Sequence, residues 1–273
     1  MNRMQLLREA WAILKRNPTL WSVTLITLAI DAVVSWLVIL APPEAVILRS
    51  VVAFVFAAFM TGALINLVNL IADGQPITLI EGVQAGLRRL LPLLALNVIL
   101  FLPVWFAIFV LSGSIYTIFS SGLGQPGSFQ ATDVLSLMGA MLGAAGLVVA
   151  INAVTNLIGI GAERTLVLEG ATIVTALKSG WQLLLSHARE YLSISIMLVG
   201  LVLTLSLAFA FIVGPLLSGL ATGFSQAPEA TGPAPVFSPV NIVFILISLV
   251  VNSLYAAFAS SVWTLAYRQW QGK

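Results

Sequence analysis

ATIVTALKSGWQLLLS, residues 171–186, is the stretch from which the rest of the chain can be read. Val174, Leu177, Trp181 and Leu184 fall on one stripe of an α-helix, with Thr175, Lys178 and Gln182 turned away from it. The stripe occurs twice earlier, as Met4, Leu7, Trp11 and Leu14 before the first long apolar run and as Ile80, Val83, Leu87 and Leu90 before the third. Small residues correspond at Ala10, Gly86 and Gly180, and polar ones at Arg8, Gln84 and Lys178. Two long apolar segments follow each copy. The pattern predicts three tandem units, approximately 1–74, 75–168 and 169–273, each an amphipathic helix at the bilayer surface followed by two spans. The expected fold is all-α: one transmembrane domain, a polytopic membrane helix bundle of six transmembrane helices.

Composition supports lipid as the solvent. Of 273 residues, 60% are hydrophobic and 8% charged, with a mean hydropathy of +1.07. A soluble domain carries about a quarter charged residues, so too little polar surface remains here to cover a water-soluble globule. Cysteine is absent and His187 is the one histidine, which excludes disulfides, thiol catalysis and a zinc cluster. No cofactor or metal is expected. The basic residues lie beside apolar segments and net charge is only +2, which fits lipid headgroups rather than nucleic acid.

The spans follow in order. Asn17-Pro18 opens the first, as N-cap and first helical residue, and Pro42-Pro43 closes it. A second runs over 45–72 and ends in the turn Asp73-Gly74-Gln75-Pro76. The second surface helix covers 77–91. Pro92 then opens a third span to about Phe119, with a kink at Pro103. Residues 120–133 read as a loop, and a fourth span covers 134–161, where Gly139, Gly143 and Gly146 suggest a close-packing face. A connector over 162–170, a fifth span over 191–219, a Pro/Gly/Ser-rich loop over 221–239 and a sixth span over 240–267 complete the chain. The first apolar run is too long for a signal-peptide core, so an uncleaved anchor is expected.

Eleven basic residues fall on the side shared by both termini, from Arg3 and Arg8 through Arg164 and Arg189 to Arg268 and Lys273; Arg49 alone falls on the other. The positive-inside rule places both termini in the cytoplasm of a bacterial inner membrane. Arg8, Lys15, Arg16, Arg88, Arg89 and Lys178 are then candidate contacts for anionic lipid headgroups, with Trp11 and Trp181 at the same interface. The expected partners are membrane lipids, with room for a protein partner or a second copy of the chain.

The segment GAERTLVLEGATIVTALKSGWQLLLSHAREYL, with Arg164, the turn Leu166 to Gly170 and the Gly180-Trp181 pair, resembles the signature region of bacterial six-span proteins of unknown function. These include the YciC-like family and the membrane domain attached to some glycerophosphodiester phosphodiesterases. NPTLW at 17–21 and AYRQW at 266–270 are similar to the ends of such proteins. The resemblance implies the six-span architecture and little about function, and with no catalytic domain in the chain it implies no phosphodiesterase activity.

Asp31 is the residue that bears most on chemistry. An ionisable group in mid-span costs roughly 2.5–3.5 kcal/mol on insertion scales, and Thr24, Thr27 and Ser35 share its face. It reads either as a proton- or cation-handling site or as a neutral packing residue. Asn66 and Asn69 (INLVNLI, 65–71) and Asn152 and Asn156 (INAVTNLI, 151–158), with Thr155, read as interhelical hydrogen-bonding groups or as the lining of a polar vestibule. Glu163-Arg164 reads as an interfacial charge pair, and His187 as a solvated or headgroup-facing residue. No catalytic triad, carboxylate dyad or phosphate loop occurs, so the chain is not expected to be an enzyme. The leading expectation is a membrane protein that organises or senses the bilayer or scaffolds a partner; the alternative is a small transporter or channel component built around Asp31.

Overall fold

The computed structural model describes residues 3–39, 45–122, 131–225 and 239–272. Eight α-helices and no strand occur among them: α1 Arg3–Arg16, α2 Pro18–Ile39, α3 Ala45–Ala72, α4 Leu79–Gly122, α5 Ala131–Leu168, α6 Ile173–Ser186, α7 Ala188–Ser225 and α8 Pro239–Trp270. α2, α3, α4, α5, α7 and α8 are long and apolar enough to cross a membrane, and the chain is a multi-pass membrane protein. Residues as large as Trp105, Phe106, Phe109 and Phe211 stand exposed along them, a surface that suits lipid and not water. The Pro42-Pro43 turn and most of the loops expected at 120–133 and 221–239 lie outside the described residues.

Two expected boundaries are absent. α4 runs without a break from Leu79 to Gly122, with Pro92 and Pro103 inside it. The second surface helix and the third span are therefore one element. A proline removes one backbone hydrogen bond, and the fully buried Leu93 and Leu96 anchor the turn that follows Pro92. The start of α4 is well defined: Glu81 accepts from Thr78 N–H (2.7 Å) while Thr78 Oγ1 accepts from Glu81 N–H (3.2 Å), a capping box. α5 likewise continues to Leu168, through most of the expected connector, and the turn to α6 is made at Gly170, whose φ of +67° suits glycine.

The chain divides into two compact units, Met1–Leu90 with His187–Lys273, and Leu91–Ser186. In the first, a core of Leu14, Leu20, Val23, Ala63, Leu64, Leu67, Val68 and Ala257 joins α1, α2, α3 and α8. Asn17 sits between α1 and α2, but its side-chain amide donates back to Ile13 O (2.9 Å), finishing α1. Thr24 Oγ1 donates across to Ser253 O of α8 (3.1 Å). At the other end of α8, Trp270 is stacked between Tyr191 (centroids 4.6 Å apart) and His187 (5.2 Å). His187 is thus half-buried in an aromatic stack rather than solvated.

In the second unit α6 packs on α5. Ala176, Gly180 and Leu183 form its buried face, and Thr165 and Ser179 share a hydrogen bond of 3.1 Å across the seam. A Cβ built on Gly180 would strike the carbonyl oxygen of Ile158 and lie 2.9 Å from Ala162 N, so the two backbones touch there. Gly139, Gly143 and Gly146 have nothing within 4 Å of an added Cβ. They form no packing face among the described residues, because this part of α5 is largely exposed.

Candidate functional site

The amphipathic helices hold the first set of predicted residues. Each buries a face of small or medium residues on protein: Leu6, Ala10 and Leu14 in α1, Gly82 and Gly86 in α4, Ala176 and Gly180 in α6. Two large residues of each sequence stripe point away, while Leu14 is buried and Leu7, Val83, Leu90, Leu177 and Leu184 are half-buried. Met4 and Trp11 are 55% and 58% exposed, Ile80 and Leu87 68% and 58%, Val174 and Trp181 62% and 47%. Arg8, Lys15, Arg16, Arg88 and Lys178 are exposed beside them, and Arg89 is half-buried. The corresponding small residues at Ala10, Gly86 and Gly180 are what lets each helix lie close to its neighbour.

The polar stripe of α2 does not converge on one site. Thr24 and Thr27 are buried; the one hydroxyl hydrogen of Thr24 is shared between Trp21 O (2.7 Å) and Ser253 O (3.1 Å), and that of Thr27 goes to Val23 O (2.8 Å). Ser35 Oγ accepts from Arg49 Nε at 3.1 Å. Asp31, one turn from Ser35, keeps Oδ1 buried with no hydrogen-bond partner among the described residues.

The asparagines divide by role. Asn69 Oδ1 accepts from Arg268 Nη1 (2.6 Å), whose Nη2 pairs with Asp73 Oδ1 (2.7 Å), while Asn69 Nδ2 donates to Asp73 Oδ2 (3.2 Å). This closed set ties the end of α8 to the end of α3, an interhelical use of Asn69. Asn66 is half-buried on the same helix. Asn152 and Asn156 instead bond along α5: Asn156 Nδ2 donates to Asn152 O (2.7 Å) and Oδ1 (2.9 Å).

Asn156 also lines a cavity of about 80 Å³ with Asn97, Leu100, Phe101, Thr155, Gly159, Ile160 and Glu163. α4 supplies Asn97, Leu100 and Phe101; α5 supplies the rest. They come close because Gly159 has no side chain: a Cβ there would lie 3.1 Å from Leu100 Cδ1. Glu163 therefore lines a polar chamber inside a candidate span rather than an interface, with the adjacent Arg164 acting on its carboxylate electrostatically; Arg164 is itself buried and donates from Nη1 to Ile160 O (2.8 Å). Neither Asn97 nor Glu163 stands out in the sequence as a site residue. The signal was the spacing of Asn156, Gly159 and Glu163 on one helix face, hidden by ending the helix at Gly161. Among the described residues no group of three or more His, Asp or Glu could hold a metal ion.

A family model described as a domain of unknown function (DUF7847) matches residues 1–270. The chain belongs to the DUF7847 family. The match covers all eight helices, so the amphipathic segments and the spans fall within one DUF7847 unit of sequence. No curated protein and no solved structure matches the chain.

Proposed function

We propose that this protein is a non-enzymatic component of a bacterial inner membrane, both termini cytoplasmic, that organises or senses the lipid surface and offers it as a scaffold. One observation carries the reading: α1, the start of α4 and α6 each set small residues against protein and leave a large apolar pair exposed beside an exposed basic residue. Such a helix is held in place by its own protein while its outer face meets the interface. The same register in all three supports a repeat of three units, and the one-sided distribution of Lys and Arg supports the orientation. The likeness of 161–192 to the YciC-like and phosphodiesterase-associated membrane domains agrees with a role in the membrane without catalysis.

The experiment compares Trp181→Glu with Lys178→Glu in anionic and neutral liposomes. Trp181→Glu puts a charge on the apolar face and is expected to expose α6 to protease in both lipids. Lys178→Glu is expected to weaken only the dependence on anionic lipid, which contributes about 1 kcal/mol per basic residue. Identical behaviour of the two variants in both lipids would refute a lipid-facing α6.

A second reading, a small transporter or channel component, is favoured by the buried, unpartnered Oδ1 of Asp31 with Arg49 held one turn away on Ser35. Buried polar groups without partners are costly and tend to be functional. Proton flux in liposomes that vanishes in a fully stable Asp31→Asn would promote this reading; no flux in either protein would dismiss it.

A further inference from the structure

We propose that the cavity between α7 and α8 binds the ring of a neutral, membrane-dissolved quinone, held by hydrogen bonds from Ser206, Ser248, Asn252 and Tyr255. The cavity measures about 280 Å³, and Val202, Leu205, Phe209 and Val251 complete its lining. Both helices belong to the first unit, and the seam between them is closed on either side of the cavity. Phe209 meets Phe244 edge to face at 5.2 Å beyond one end. Toward the other, Ile194 and Leu198 are buried and Tyr191 lies on Trp263 at 5.4 Å. Asn252 stands ~20 Å of helix from the start of α8 and ~27 Å from its end, well inside a candidate span. The hydroxyls here depart from the habit of the chain. Ser22, Thr27, Ser186, Thr204, Ser253 and Ser261 each turn back onto a carbonyl of their own helix at 2.8–2.9 Å, which satisfies a hydroxyl without help from outside. Ser206 and Ser248 forgo that bond, and the Asn252 amide and the Tyr255 hydroxyl have no hydrogen-bond partner among the described residues. Four uncharged donors are thus left open toward one space inside the bilayer, where unmet polar groups are costly.

Size, charge and depth decide the occupant. Liquid water would need roughly nine molecules at ≈ 30 Å³ each, every one making about three hydrogen bonds. The four polar side chains can anchor about two or three of them, and the rest would face Val202, Leu205, Phe209 and Val251, so water alone does not fill the space. No Lys, Arg, Asp or Glu lines the cavity, which rules out a fatty-acid carboxylate as its ligand, and a phospholipid headgroup belongs at the interface rather than at this depth. A partner helix is disfavoured by Leu203 and Leu207, exposed beside the stripe on α7, because helices that pair in lipid place small residues there. A quinone meets every condition. It is uncharged and reaches the seam by lateral diffusion. Its flat ring suits the two aromatic walls, Phe209 and Tyr255. An apolar cavity of about 150 Å³ holds a bare benzene ring, and the larger volume here leaves room for ring substituents. Its two carbonyl oxygens carry two lone pairs each, as many acceptor sites as there are donor side chains. None of this depends on the surface-helix reading of function.

Purified full-length protein in quinone-free lipid nanodiscs, titrated with a radiolabelled short-chain benzoquinone, tests the proposal. Bound label is counted against empty nanodiscs, which subtracts simple partitioning into lipid. One saturable site per chain is expected, with a rise in Tm on loading. Asn252→Leu roughly keeps the volume of the side chain and is expected to weaken binding at least about tenfold, while stability holds or rises because an unmet polar group leaves the bilayer. Ser248→Phe puts a ring into the cavity and is expected to abolish saturable binding. Oleate and a diacylglycerol are expected not to displace the label: the first is charged, and the second is neutral and carbonyl-bearing but has no ring. That competition, run on the parent protein, stays readable where a variant fails to fold. No saturable binding above empty nanodiscs would mean that lipid chains or scattered waters occupy the cavity, and would overturn the site. Undiminished binding in Asn252→Leu or Ser248→Phe, or displacement by either lipid at equal concentration, would overturn it equally.

Discussion

α6 and the first turns of α4 look alike in sequence, with small residues four apart at Ala176 and Gly180 and at Gly82 and Gly86, yet they lie against their neighbours in different ways. On α6 the small face meets backbone: the Ile158 carbonyl and the Ala162 amide stand where a Gly180 Cβ would go. On α4 the small face is filled by large side chains, with Leu67 Cδ1 2.8 Å from a Gly82 Cβ and the Phe59 ring 2.7 Å from a Gly86 Cβ. The first seam is backbone on backbone; in the second, side chains of α3 fill a hole of α4, and backbone comes as near only at Gly86, where Phe59 O lies 2.9 Å from the added Cβ. Identical spacing thus fixes which face is buried, and the opposing residue fixes how much that face can yield.

The comparison breaks most sharply at Gly180. Gly180→Ala has no side-chain tip to push aside, so α6 must lift from α5. A loss of about 3 kcal/mol or more is expected, read as unfolding in mixed micelles together with protease cleavage near residue 180. Gly86→Ala meets a ring that can turn but also Phe59 O at 2.9 Å, and about 1–2 kcal/mol is expected from the same measurement. Gly82→Ala meets only the end of a leucine, and alanine gains up to ~1 kcal/mol of helix propensity over glycine. Its stability should stay within about 1 kcal/mol of the parent. A Gly82→Ala as damaging as Gly180→Ala would show the two seams to be alike after all.

Outside the glycines, Arg268→Gln sharpens the same contrast, because a side-chain clamp and not backbone contact closes the α3–α8 seam. Removing the guanidinium leaves Asp73 with the Asn69 bond but without its ion pair. The pair is part exposed, 16% for Arg268 and 40% for Asp73, so a small loss of about 1 kcal/mol is expected, shrinking at high salt.

Much of this was legible in the residues. Asn17-Pro18 marks the start of α2, and the second span at 45–72 coincides with α3. The apolar stripe through Trp11 and Trp181 identifies the amphipathic helices, and the sequence shows small residues matching at Ala10, Gly86 and Gly180; that these face protein is known only from the contacts. The errors have one physical source. Read from sequence, Pro92 starts a new helix and Gly161 ends the fourth span, as such residues act in water. In an apolar setting a helix has no solvent to satisfy its free backbone groups, so it continues through such residues and its neighbours absorb the defect. That error cut Glu163 away from Thr155 and Asn156, and with it the chamber. The related stretches INLVNLI and INAVTNLI also part company in use: Asn69 reaches Arg268, while Asn156 folds back on Asn152. Only the partner helix, which sequence does not name, separates the two.

The discontinuity of the first unit has a consequence for how the protein is made. Asn69 meets Arg268 across 199 residues and Thr24 meets Ser253 across 229, whereas Thr165 meets Ser179 across 14. At synthesis rates of ~5–20 residues per second, α2 and α3 wait roughly 10–40 s for α8, while α5 and α6 can join almost as soon as they leave the ribosome. Until α8 arrives, Asp73 lacks Arg268 and the Thr24 hydroxyl lacks its acceptor on α8. A chain released before α8 would therefore carry a finished α5–α6 hairpin beside an open seam on α2 and α3, and α8 is the helix that closes it.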